Sequence, residues 1–311
     1  MDNASAAANA GERKRTAGEH LAHHVCFAAL GAAILILTWR LVAVVFSYAI
    51  GNDSASHILL VPLIAAFLIF TARRQVYSAP AWSIQLGAGL VLVGAFAYLW
   101  LSSRSLAEGG WSLSGAALAA IIAWIGAFSL CYGHRATRAS LFPLLLLFLA
   151  VPWPDPILSR VIYALQQGST GIAYAIFKFL GVPVLREGFL LSVPHVTIQV
   201  AQECSSIRSS IALFITCLLA AHFFLRRIWS TLVFLSIAVL FSVVKNGIRI
   251  ATLTLLSIYV DPSFLSGDLH RDGGVVFFLL ALVMLWPLLL VLQKIETSQR
   301  PAPRMIASKP L

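Results

Sequence analysis

The sequence predicts an all-α integral membrane protein with about eight transmembrane helices, an outer interfacial helix and a small β-hairpin before the sixth span. Three observations predict it. Hydrophobic residues make up 59% of the 311-residue chain and charged residues only 11%, whereas a soluble domain carries about 25% charged residues. Apolar runs recur along the whole length and match a hydrocarbon core ~30 Å thick at ~1.5 Å per helical residue. Most of these runs lack the polar faces of a soluble helical protein. The net charge of +10 falls in short clusters between the runs. It forms no long basic stripe and comes with no nucleic-acid motif, which excludes a nucleic-acid partner.

The elements follow in order. Residues 1–24 are polar and Ala-rich and predict a disordered cytoplasmic N-terminus. The first apolar run, 25–49, is too long for a signal-peptide core and has no convincing cleavage site, so it predicts a retained span. Further spans are predicted at 57–72, 84–102, 114–131 and, shorter, 139–152. The run Pro152-Trp153-Pro154-Asp155-Pro156 then ends helix, because alternating prolines cannot sit inside one. In residues 157–180, Ser159, Tyr163, Gln166, Thr170, Tyr174 and Lys178 form a polar stripe at helical spacing. That stripe predicts a helix lying on the outer membrane surface, closed by Gly181 and Pro183. Read instead as a ninth span, it would carry Arg226 and Arg227 outside.

Residues 189–201 alternate apolar and polar positions like strands and predict a hairpin turning at Pro194-His195. The last spans are predicted at 205–225, 229–250 and 274–293, the seventh running on or breaking near Gly247. Together 25–293 form one membrane domain, and 294–311 a cytoplasmic tail. With the N-terminus inside, thirteen basic residues face the cytoplasm against four acidic ones, while the outer side has eight of each. That asymmetry sets the expected orientation.

Three groups stand where stability alone would not put them: Cys204 at the first turn of the sixth span, Arg249 near the outer end of the seventh, and His270 before the eighth. In the predicted topology all three reach the outer layer. A helix N-terminus favours a thiolate, a histidine exchanges protons near neutral pH, and an arginine holds an oxyanion or a carboxylate. Together they suit acyl transfer by a thiol nucleophile. Cys26 and Cys131 sit at the inner ends of their spans, and Cys217 lies about 20 Å deeper than Cys204 at helical rise. Cys204 therefore has no disulfide partner in reach. Each residue also has an ordinary role: a packing cysteine, a snorkelling arginine, a loop histidine. A transporter would use Lys245, Arg249 and His270 to bind substrate, but it should show paired broken halves and gives Cys204 no task. Cys204, His195 and His270 lack close ligand spacing, so no metal or other cofactor is expected.

The run Val200-Ala201-Gln202-Glu203-Cys204-Ser205-Ser206-Ile207-Arg208-Ser209 resembles the cysteine signature of the exosortase/archaeosortase family. Asn246-Gly247-Ile248-Arg249-Ile250 resembles its arginine motif. His270-Arg271-Asp272-Gly273-Gly274, followed by Phe277, resembles its histidine motif. Ser56-His57, Val61-Pro62-Leu63-Ile64, Val151–Pro156 and Arg186-Glu187-Gly188 agree with other stretches of that family. The likeness runs from about residue 35 to 293. Ser206 and Ile58 depart from it, standing where glycine is common.

The resemblance implies a polytopic enzyme of the bacterial exosortase branch, in which histidine is the third site residue and archaeal relatives commonly have arginine. It implies a cysteine peptidase or transpeptidase at the outer face of the inner membrane, with Cys204, Arg249 and His270 catalytic. The implied partners are exported proteins ending in a Pro-Glu-Pro motif, a transmembrane helix and a basic tail. Membrane lipid and an exopolysaccharide or lipid-linked acceptor complete the expected set. Arg208, with Glu203 and Asn246, forms the expected substrate-binding set. Arg249 and Arg208 are rival holders of the motif glutamate, and Arg208 has the alternative of an ion pair with Glu203. A membrane acyl- or glycosyltransferase in exopolysaccharide assembly is the nearest alternative function.

Overall fold

The computed structural model describes residues 2–194, 196–200, 207–265 and 274–298. Among them eleven α-helices and one small sheet follow in order: α1 (Asp2–Leu37), α2 (Trp39–Gly51), α3 (His57–Thr71), α4 (Arg73–Val76), α5 (Ile84–Ser102), α6 (Trp111–Ala139), α7 (Leu141–Leu146), α8 (Asp155–Phe179), β1 (Leu185–Glu187), β2 (Leu190–Val193), β3 (Val196–Gln199), α9 (Ile207–Phe224), α10 (Ile228–Tyr259) and α11 (Gly274–Ser298). Helix α1 extends back through the segment whose polarity suggested disorder, and its many alanines are the strongest helix formers.

Among the described residues six helices are long and apolar enough to cross a membrane: α5, α6, α9, α10, α11 and the second half of α1. Helices α2 and α3 are shorter apolar helices. The predicted first span is thus divided at Thr38, where the backbone leaves helical values and the hydroxyl donates back to the Ile34 carbonyl at 2.8 Å. Such back-bonding bends helices. The predicted fifth span is α7 continued by a 3-10 turn, Leu147–Ala150. It passes as a span only jointly with α8, as a broken span or a re-entrant loop, because the prolines at 152, 154 and 156 stop the helix between them. The protein is a multi-pass, all-α membrane protein.

Two compact units divide the chain, Met1–Leu158 and Ser159–Leu311. In the first, α5 and α6 pack at backbone distance. A Cβ added at Gly94 would stand 2.6 Å from the Ala123 nitrogen, and one at Gly126 would stand 2.6 Å from the Val91 nitrogen. Small residues are what let membrane helices pack this closely. Helix α6 is broken inside by Gly133, at φ 80° and ψ 177°, a left-handed backbone that favours glycine. The break frees three successive carbonyls, and each finds a donor. The Ser83 amide bonds Leu130 O at 3.1 Å and the Ala81 amide bonds Tyr132 O at 3.4 Å. The ring Nδ1–H of buried His23 donates to Cys131 O at 2.6 Å.

In the second unit, β1, β2 and β3 make an antiparallel meander in which Leu191 lies opposite Arg186 on one side and Ile198 on the other. The β2–β3 pair is the predicted hairpin; Pro194 lies in its turn and His195 is outside the described residues. Strand β1 is an addition, joined to β2 through Gly188 at φ 62°, the first central position of a two-residue loop where a positive φ is wanted. Leu191, Val193 and Val200 pack with Ala173 and Phe177 of α8 and with Ile250 and Ala251 of α10. Helices α9, α10 and α11 share a second core around Leu213, Cys217, Phe234, Ala238 and Leu285. Both carboxylate oxygens of Glu296, on α11, accept the amides of Arg226 and Arg227 at 2.9 and 3.0 Å and so fix the turn between α9 and α10.

Candidate active site

Of the six expected site residues, Cys204, Glu203 and His270 lie outside the described residues, as does His195. Arg249, Arg208 and Asn246 lie within them, all in the second unit. Their surroundings follow from how α8, α9 and α10 meet.

Helix α10 is 32 residues long, about 48 Å at helical rise, and it passes through Gly247 unbroken. The glycine serves packing instead. A Cβ there would stand 2.5 Å from Cβ of Ile172 and 3.1 Å from the Ser169 carbonyl. Gly168 makes the reciprocal allowance on α8, where a Cβ would stand 2.5 Å from Val243. At this crossing Asn246, only 1% exposed, donates from Nδ2 to Ser169 Oγ at 3.0 Å. A buried amide requires such a partner.

The polar stripe of α8 is turned inward at its centre. Gln166, Ser169 and Thr170 are buried, which corrects the expectation of a water-facing stripe. Periodicity marks a face without saying what covers it, and here sheet and helix α10 cover it. Gln166 Nε2 donates to Val200 O at 3.0 Å, and Thr170 Oγ1 donates to Gln166 O at 2.7 Å. The Val200 amide in turn donates to Phe189 O at 3.0 Å. The chain is therefore pinned four residues before Cys204.

It is pinned again five residues after. Lys245, 5% exposed, donates from Nζ to Ser209 Oγ at 2.7 Å. This contact sets α10 against the first turn of α9. Because α9 starts at Ile207, two residues before Ser209, and α10 continues fourteen residues past Lys245, α10 outruns α9 by about 18 Å. Arg249 is half-buried one turn beyond the Lys245–Ser209 contact. It lies ten residues, about 15 Å, before the end of α10, and so not at the helix end where a 22-residue span would have put it. Arg208 is exposed on the first turn of α9, beside Ser209.

The described part of the site thus comprises a buried lysine and asparagine on α10, an arginine one turn on, and hydroxyl and amide partners on α8 and α9. Gln166, Ser169 and Ser209 were not among the expected site residues, and Lys245 was expected only as a substrate-binding group of the transporter alternative. A lysine in the middle of an apolar helix was the available signal, since such charges are costly and functional by default. Among the described residues no cluster of His, Cys, Asp or Glu could hold a metal ion.

The model of the transmembrane exosortase family matches residues 48–287. The chain belongs to that family. The match spans both units and takes in the Cys204, Arg249 and His270 motifs together with the α8–β1–β2–β3 segment. The chain is thereby placed among the membrane transpeptidases of protein sorting, a class that acts on proteins bearing sorting signals. No significant match was found among curated proteins or among solved structures.

Proposed function

We propose that this exosortase is a cysteine transpeptidase of the inner membrane that removes C-terminal Pro-Glu-Pro-type sorting signals from exported proteins at the periplasmic face. The observation that carries the reading is the double pinning of the Cys204 segment, by Gln166 on Val200 and by Lys245 on Ser209. A nucleophile must be held close to its attack geometry, and a buried hydrogen bond before Cys204 and a part-buried one after it support a constrained segment.

In this reading His270 takes the Cys204 thiol proton, and the thiolate attacks the carbonyl carbon of the scissile peptide. Arg249 stabilises the tetrahedral oxyanion. His270 returns the proton to the leaving amine as the carbon–nitrogen bond breaks, leaving a thioester. An amine-bearing envelope acceptor, or water, then attacks the thioester carbonyl and frees the thiol. The substrate's apolar helix lies in the membrane with its basic tail on the cytoplasmic side.

The test is co-expression with a tagged protein ending in Pro-Glu-Pro, an apolar helix and a basic tail. Wild type should remove the tail and Cys204→Ala should not, a loss on the order of 10⁴-fold or more. Tail removal by the folded Cys204→Ala protein would sink the mechanism. Mass spectrometry of the new C-terminus tells transfer from hydrolysis.

A further inference from the structure

The first unit holds a cleft of about 680 Å³, lined by residues of α1, α2, α3, α6 and α7. Its walls are apolar, with Ile58 and Ala66 from α3 and Trp124 from α6 among them. Leu35, Phe46 and Phe70 also line it and are exposed, so the cleft opens towards the hydrocarbon. Along α3 the lining runs from Ile58 to Phe70, about 18 Å at helical rise.

One charged side chain lines the cleft, Arg73, just past the inner end of α3. Its guanidinium stands 4.2 Å from the centre of the Phe70 ring, and Nη1 donates to Phe70 O at 3.0 Å. The cation is thereby held at the end of the apolar wall, and that bond uses one of its five donors. Arg74, Arg135 and Arg138 are exposed at the same end. They come together because α4 packs on α6, with Val76 in one core with Tyr132 and Ala136. No Asp or Glu occurs from residue 54 to 107 or from 109 to 154, so α3 to α7 contain no carboxylate.

An apolar cleft capped by cations matches the two parts of a phospholipid, acyl chains and an anionic headgroup. Basic pockets between membrane helices on the cytoplasmic side bind such headgroups, and the charge rule assigns this end to the cytoplasm. We propose that the cleft binds an anionic phospholipid of that leaflet, its chains against α3 and α6 and its phosphate on Arg73. A guanidinium meets a phosphate through two parallel hydrogen bonds. The chains supply the packing partners that the cleft walls lack. The same cations disfavour the other membrane occupants. A substrate helix would bring its basic tail against four arginines, and a zwitterionic lipid would bring a cation of its own.

The experiment uses full-length protein purified in mild detergent. It is mixed with equal amounts of phosphatidylglycerol and phosphatidylethanolamine of the same chains and read by native mass spectrometry. Wild type should carry the anionic lipid at least about fivefold more often, the factor that one surface cation supplies. Arg73→Gln should cut that preference several-fold. Ala66→Trp, which fills the cleft from α3, should lower the adducts of both lipids. Lys294→Gln, which removes an exposed cation of α11 in the second unit, should change neither. Equal carriage of the two lipids by wild type overturns the proposal. So does a preference that Arg73→Gln leaves intact or that Lys294→Gln lowers as much, and so does an adduct yield unchanged in Ala66→Trp. A labelled apolar helix with a basic tail that displaces the lipid from wild type would give the cleft to the substrate instead. A protein dimer lost in Ala66→Trp would give it to a second copy, and either result also overturns the proposal.

Discussion

Asn246 and Gly247 act as a pair. The glycine removes the side chain that would hold α8 away, and the asparagine then reaches Ser169 across the closed gap. Neither residue alone would give a buried, satisfied amide. Gly247→Val should therefore force the helices apart and break the bond from Asn246 to Ser169. Overpacking of this kind costs about 1–3 kcal/mol, and the broken bond adds about 1–3 kcal/mol. The expected outcome is a lower melting temperature in detergent together with loss of tail removal. An unchanged melting temperature would show that α10 can retreat without cost. The motif around Arg249 was legible in the sequence as chemistry, but Gly247 was legible only as a breaker. The contact that explains it, Ile172, lies seventy-five positions earlier on a helix whose orientation the sequence left open. Lys245 was legible as an odd charge. Its use depended on which residue of α9 it faces, and spacing along one helix does not fix register against another.

At the scale of elements, the spans and the hairpin were readable for different reasons. Spans declare themselves because length and apolarity are both set by the bilayer. The β2–β3 pair declares itself by alternation with a turn between. Strand β1 has three residues, too few to show a period. The seventh span was expected to run on or to break near Gly247, and α10 runs on through Ala251–Tyr259, which is apolar enough to extend a helix although the usual span length argues for stopping. The pairing of α5 with α6 belongs here too. Gly94 lies against Ala119 and Ala123, and Gly126 lies against Leu90 and Val91, so the two helices meet along several turns with nothing between them. Gly94→Leu would place four carbon atoms where the Ala123 backbone stands. Overpacking this close to a backbone should cost about 3 kcal/mol or more. The variant is expected in membranes at several-fold lower yield, with its melting temperature in detergent reduced. The conservative Gly94→Ala should fall between it and wild type.

For the whole molecule, the distribution of basic residues sets the expected orientation. The charge rule assigns the basic 73–74, 135–138 and 226–227 segments to the cytoplasmic side. Reporter fusions or single-cysteine labelling after residues 75, 137 and 227 should all report the cytoplasmic face. The same probes after residues 105 and 181 should report the periplasmic face. A periplasmic signal after 227 would mean that α8 crosses fully, and the proposed site would then open inward. Both units contribute to the family match, and the described part of the site lies in the second.

The pinning at Val200 and Ser209 has a consequence for how the enzyme can vary. A segment closed between two fixed points pays for its length only logarithmically: one added residue raises the closure entropy by about 0.1 kcal/mol. The same residue adds up to about 3.6 Å of chain, far more than an attacking sulfur can be displaced and still react. Fold stability is therefore nearly blind to the length of this segment, while turnover is acutely sensitive to it.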